Sequence, residues 1–308
     1  MASCGPHSAN GDRPATFEEA LSLARGWAVE PPSERVPVAR CAGRTLARDV
    51  TVAREHPAVD SSAMDGFACR SDDLPGRLRV VGESRAGEPY RGTLSPGQAT
   101  AISTGAALPA GADTVLRVED VEVAGKTVAA PARPHGRDVR RAGEALRAGA
   151  PLLPAGARIR PQAIVALITA GYATVCCRRR PRVAILTSGD ELVRPGHEVG
   201  PHQLPDGNGP GIAAQAMAAG AQVVGWEHVG DDRAETERRI ERALTPPEDH
   251  APDVLLTVGG VSVGRHDHMR AALAAVGVVP LVDRVAVRPG HPVWLGHRGG
   301  QRILALPG

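Results

Sequence analysis

From residue 181 to the last residue, short apolar runs alternate with helical patterns and glycine-bearing loops. The runs are 183–187, 222–229, 254–258, 284–287, 293–295 and 303–306, with helical patterns at 211–219, 233–244 and 267–275 between them. Strand, loop and helix in repetition predict an open α/β sheet with mostly parallel strands. Asp231 and Asp232 stand ahead of an acid-rich first turn in 233–244, where the helix dipole favours negative charge.

The remainder reads differently. Thr16 can cap a helix over 16–28, with Glu18 and Glu19 in its first turn and Leu21 and Leu23 beginning its apolar face. A second helical piece is expected over 39–50. Residues 54–150 carry short β-type runs (78–81, 100–103, 114–118, 121–123, 127–129) broken by Gly/Pro turns, and 152–177 reads as a helix followed by a short strand. The expected organisation is a split helical linker domain (1–53 plus 151–180), an inserted β-rich domain (54–150) and an α/β domain (181–308).

Composition excludes several classes. Aromatics are only 2% of 308 residues, so Ala, Val, Leu and Ile must build the core, and stacking platforms for bases are scarce. A net charge of +2 does not mark a nucleic-acid binder. Lys126 is the only lysine among 36 basic residues, which leaves anion binding to arginine and the backbone. Residues 181–308 hold 12 arginines against 15 carboxylates, which excludes a polyanion track and suits metal-assisted chemistry weakly. The five cysteines, Cys4, Cys41, Cys69, Cys176 and Cys177, form no CxxC pair and are odd in number; structural disulfides are not expected, and a reducing cytoplasm fits. The longest apolar run, 163–177, is interrupted by Thr169, Gly171 and Thr174 and falls short of the ~20 residues of a membrane span. No apolar leader opens the chain, so the expectation is a cytoplasmic protein without membrane contact.

In an open α/β sheet, ligands bind beyond the carboxyl ends of the strands. Those ends here carry Ser188, Gly189, Asp190 and Glu191; Gly230, Asp231 and Asp232; Gly259, Gly260, Ser262 and Gly264; Arg288, Gly290 and His291; and Pro307 with Gly308. Glycine lets backbone N–H groups approach an anion, and five such loops on one edge favour a phosphate or pterin-like ligand. Glu191, Asp231 and Asp267, from three loops, suit Mg²⁺ or another hard cation. Asp232 reads as a helix cap; Asp231 reads equally as cap or ligand. The pair His266 and His268 does not share a helix face and has no third ligand at suitable spacing, which disfavours zinc. Residues 260–264 match G-x-S-x-G, which raises a serine hydrolase using Ser262, with Asp283 and His291 or His297 as nominal partners. No HGGG-type oxyanion loop accompanies them.

The ordered motifs resemble those of the MoeA family, the molybdopterin molybdenumtransferases. Residues 61–68 (SSAMDGFA) are similar to its N-S-A-M-D-G-Y-A signature, and 104–120 to its T-G-A-x-x-P-x-G-A-D segment running on to an acidic residue. Residues 182–192 resemble its strand ending T-G-D-E-L, 259–264 its G-G-V-S-V-G loop, and 306–308 the start of its L-P-G-N-P motif. The resemblance implies insertion of molybdate into adenylylated molybdopterin, with release of AMP and a requirement for Mg²⁺. It implies a homodimer with the site between the α/β domain of one subunit and the β-rich domain of the other. Asp65 and Thr104 would then face Glu191, Asp231 and Asp267, with Ser188, Gly189, Asp190, Gly259, Gly260, Ser262, Gly264, Arg288, His291 and Pro307 around the ligand. It also implies molybdopterin adenylyltransferase and other cofactor-biosynthesis proteins as partners.

The chain departs from the family pattern at several positions. The family's K-P-G-K-P stands here as Arg288-Pro289-Gly290-His291-Pro292; a guanidinium fork is not equivalent to an ammonium, and a neutral imidazole binds anions less well. Ala145 replaces the acid of R-x-x-G-E-D, and Gly207 replaces the hydroxyl residue before Asn208. The small β domain that usually follows L-P-G-N-P has no counterpart in these residues. These departures raise a non-catalytic molybdopterin-binding or scaffold protein as the alternative function.

Overall fold

The computed structural model describes residues 13–27, 31–246, 251–261 and 268–308. It divides into two compact bodies, Met1–Glu34 with Arg178–Gly308, and Arg35–Cys177. Among the described residues, 13–27 and 31–34 belong to the same body as the α/β sheet.

The first body is built on a six-stranded sheet in the order Gln222–Val229, Arg182–Ser188, Val254–Val258, Gln301–Leu306, Trp294–Arg298, Val279–Val282. The first four strands are mutually parallel and the last two run antiparallel at one edge. Residues 183–188 are buried without interruption, as a parallel strand covered on both faces requires. Leu186, Leu255 and Ile303 pack with Ile240 and Leu244 of the helix Arg233–Leu244 and with Met269 and Leu273 of Met269–Ala275. Leu255 is fully buried, and Leu255→Ala is expected to cost about 2–5 kcal/mol, read from a urea unfolding curve.

Two expectations are corrected here. The run 284–287 is not a sheet strand: Ala15 N–H donates to the Arg284 carbonyl (2.9 Å) and Ala286 N–H to the Ala15 carbonyl (2.7 Å), so the run is bound to the N-terminal segment. The sixth strand is Val279–Val282, whose Pro280 reads as a breaker but is tolerated at a sheet edge. The helix expected at 211–219 is Asn208–Ala218; the Asp206 carboxylate accepts the Gly209 N–H (2.9 Å) and so starts it three residues earlier. The helix Phe17–Gly26 has the expected cap, a reciprocal capping box of Thr16 and Glu19. Arg233–Leu244 is capped by Asp232, as expected.

The second body holds a six-stranded sheet in the order Thr114–Arg117, Gly66–Cys69, Gln98–Ile102, Gly76–Ser84, Thr127–Ala130, Glu122–Ala124, antiparallel except between Gly76–Ser84 and Gln98–Ile102. The strand Gly66–Cys69 lies inside the SSAMDGFA motif, and a Cβ on Gly66 would overlap the Leu116 carbonyl, so only glycine fits there. A separate apolar cluster joins Val36, Val38, Leu46 and Val50 to Ile159, Leu167 and Val175 across the ends of this segment. The helix expected over 39–50 is absent. Val38–Arg40 forms one 3-10 turn, and Gly43 (φ +74°) reverses the chain before Leu46 docks against Ala157. The 152–177 stretch contains the expected helix and strand, Pro161–Thr169 and Thr174–Arg178. The four described cysteines are free, and burial pushes the Cys69 thiol up to about 12. Among the described residues no helix is long and apolar enough to cross a membrane.

Candidate active site

Beyond the carboxyl ends of the parallel strands of the first body lies a cleft of about 620 Å³. Thr187, Ser188, Gly189 and Glu191 enter it from the end of Arg182–Ser188, and Asp231 from the end of Gln222–Val229. Val258, Gly259 and Gly260 close one side with Gly308, and Asp206, Gly207 and Asn208 form another at the start of Asn208–Ala218.

The loops interlock through their backbones. Gly189 N–H donates to the Val229 carbonyl (3.1 Å) and Gly259 N–H to the Leu306 carbonyl (3.0 Å). Gly259 has φ +91°, and a Cβ there would lie 2.5 Å from the Ser188 carbonyl oxygen. Gly308 sits against Gly259. The Glu191 carboxyl group curls over Gly189, where an added Cβ would meet it. The Asp190 carboxylate instead accepts the Asp231 N–H (2.9 Å) and braces two strand ends against each other. Asp190 does not line the cleft.

Among the described residues, Gly207, Asn208 and Gly260 have backbone N–H groups without a protein acceptor. With the positive end of the Asn208–Ala218 helix, they make the cleft receptive to an anion. Glu191 and Asp231 offer carboxylate oxygens at the same opening.

Asp190 apart, the predicted residues fall into four groups. Ser188, Gly189, Glu191, Asp231, Gly259 and Gly260 come together in the cleft. Arg288 and His291 are exposed on the loop before Trp294–Arg298 and do not line it; Pro307 is adjacent through Gly308. Ser262, Gly264 and Asp267 lie outside the described residues, as does the hydrolase reading of Ser262. Asp65 and Thr104 belong to the second body, where the Asp65 carboxylate accepts the Thr104 N–H at 2.7 Å. Both are exposed. Sequence reading missed Asp206, which is 1% exposed; the D-G-N-G-P run that opens the helix was its only signal.

Residues 15–171 match the family model of the MoeA N-terminal region (domain I and II), and residues 184–308 that of a probable molybdopterin binding domain. The molybdopterin molybdenumtransferase of Synechococcus elongatus is 35% identical over 291 residues, which cover 89% of this chain and 70% of that protein. That of Bacillus subtilis is 33% identical over 277 residues, covering 86% of this chain and 63% of its own length. A crystal structure of the MoeA protein from Pyrococcus horikoshii aligns with a TM-score of 0.82 at 29% identity, covering 96% of this chain and 75% of that one. The ordered motifs, the glycine-lined cleft and these matches agree: the chain belongs to the MoeA family of molybdenum cofactor biosynthesis.

Proposed function

We propose that the protein is a molybdopterin molybdenumtransferase, inserting molybdate into the dithiolene of adenylylated molybdopterin with release of AMP. The observation that carries this reading is the cleft, where unpartnered backbone N–H groups and two carboxylates meet at the strand ends of the segment similar to a molybdopterin binding domain.

The chemistry follows from these groups. Gly207, Asn208 and Gly260 donate to phosphate oxygens through N–H groups fixed by the fold, so little reorganisation accompanies charge build-up on the leaving phosphate. No nucleophilic side chain is required, because positioning and charge neutralisation dominate phosphoryl chemistry. Glu191 and Asp231 fit Mg²⁺, which takes one or two carboxylates and completes its shell with water and substrate oxygens. Such a cation, when bound, would neutralise negative charge on the departing AMP. Among the described residues no three His, Cys, Asp or Glu side chains converge for a metal.

Asp65 and Thr104 enter through a second copy of the chain in this reading. The protein is then a homodimer whose site is completed by the Asp65 edge of the partner. Mixing inactive Asp65→Ala and Asp231→Ala protomers is expected to restore about a quarter of wild-type turnover, since half the dimers are mixed and each holds one intact site. No recovery from subunits shown to exchange would contradict the shared site. The transferase itself is tested by incubating the protein with adenylylated molybdopterin, molybdate and Mg²⁺ and reconstituting a cofactor-free molybdoenzyme. Activity of that acceptor is the expected result; tight molybdopterin binding without product would leave a scaffold protein.

A further inference from the structure

The geometry points to Asp206 as a positioning residue that holds the anion-facing turn of the cleft, an inference that rests on the transferase reading above. Its carboxylate is almost completely buried, yet it borders the cleft. One oxygen accepts the Thr187 hydroxyl at 2.7 Å and the other the Gly209 N–H at 2.9 Å, while its own N–H donates to the Val193 carbonyl at 2.8 Å. One side chain therefore ties together the end of the strand Arg182–Ser188, the first turn of Asn208–Ala218 and the loop between them.

The helix start explains why this task falls to Asp206. The N-cap position is Gly207, which has no side chain to cap with. Asp206, one residue earlier, reaches past it to the Gly209 N–H. That leaves the Gly207 and Asn208 N–H groups unpartnered among the described residues and turned to the ligand's use. Gly209 is packed so closely on the Trp226 indole that an added Cβ would overlap it, which holds the same turn from behind. With both oxygens engaged by donors, the Asp206 charge is directed into the fold.

The group positioned is the phosphoanhydride of the substrate, and inorganic pyrophosphate is its simplest probe. Asp206→Ala removes both bonds and is expected to raise KM for adenylylated molybdopterin about 10-fold with kcat within about 3-fold, the pattern of lost ligand positioning. Pyrophosphate affinity, measured by calorimetry with Mg²⁺ present, should fall by a similar factor. Asp206→Asn keeps an acceptor for Gly209, and the Thr187 hydroxyl can turn to accept from the new amide. It should therefore restore both values to within about 3-fold of wild type. Thr187→Val, of nearly equal volume, removes one of the two Asp206 bonds, together with the longer hydroxyl contacts to the Glu227 carbonyl (3.4 Å) and His228 Nδ1 (3.5 Å), and should give an intermediate KM. A merely structural Asp206 would instead lower the folded fraction and kcat while leaving KM and pyrophosphate affinity unchanged. That result, or an Asp206→Asn protein as impaired as Asp206→Ala, would overturn the inference. If wild-type protein releases no AMP, the transferase reading falls, and pyrophosphate affinity alone still decides the role of Asp206.

Discussion

Gly259→Ala is expected to lower kcat/KM about 100-fold or more while the protein remains folded, because small displacements at a reacting centre carry penalties of that order. Gly259 ends the strand Val254–Val258 at φ +91°, a left-handed conformation that costs an alanine about 1–3 kcal/mol. Its added methyl group would sit 2.5 Å from the Ser188 carbonyl oxygen and 3.0 Å from the Ser188 hydroxyl. Backbone cannot swing aside as a flexible side chain does, so one of two central strand ends must move. Those ends carry Gly260 on one side and Gly189 with Glu191 on the other. Steady-state kinetics and a urea unfolding curve on the same sample separate the two effects. A variant with wild-type kcat/KM would mean that this strand end does not position the chemistry.

Asp65→Ala is expected to abolish turnover, lowering kcat by about 100-fold to 1,000-fold, at a stability cost of about 1 kcal/mol or less. The two readouts diverge because of where Asp65 sits. Its carboxylate is exposed and accepts the Thr104 N–H. The fold at this point depends instead on Gly66, which admits no side chain, and on the Val118 N–H that donates to the Asp65 carbonyl. Neither is altered by the substitution. Asp72→Ala is the control, another exposed carboxylate of the same body in a loose 3.5 Å ion pair with Arg70. It should be silent in both assays. Full activity in Asp65→Ala would remove the second body from the catalytic account.

The parts of the fold legible in the sequence are those governed by local rules. Thr16 with Glu19, and Asp232 ahead of an acidic turn, announce helix starts because the cap and its partner lie within one turn. The uninterrupted apolar run of 183–187 marks a central parallel strand because burial on both faces leaves no alternation. What escaped depends on partners distant in the chain. Pro280 is acceptable only because Val279–Val282 is an edge strand, and 284–287 is held by Ala15 from the far end of the sequence. No local pattern shows that Leu46 docks on Ala157, so 39–50 could pass for a helix.

The candidate site was legible to the extent that strand ends locate it. Glycines and carboxylates at those ends predicted Glu191, Asp231, Gly259 and Gly260, and these do line one cleft. Side-chain direction was not legible: Asp190 and Glu191 are neighbours, yet one braces a backbone and the other borders the cleft. Asp206 escaped for the complementary reason. It acts through two hydrogen bonds, one of them to Thr187, which is 19 positions away and lies on a different element.

The most direct test of the central claim is AMP release, followed chromatographically, from adenylylated molybdopterin on the purified protein with Mg²⁺, with and without molybdate. Catalytic, molybdate-dependent release of AMP alongside cofactor is the expected result. Folded protein that binds adenylylated molybdopterin but releases no AMP at any molybdate concentration would contradict it.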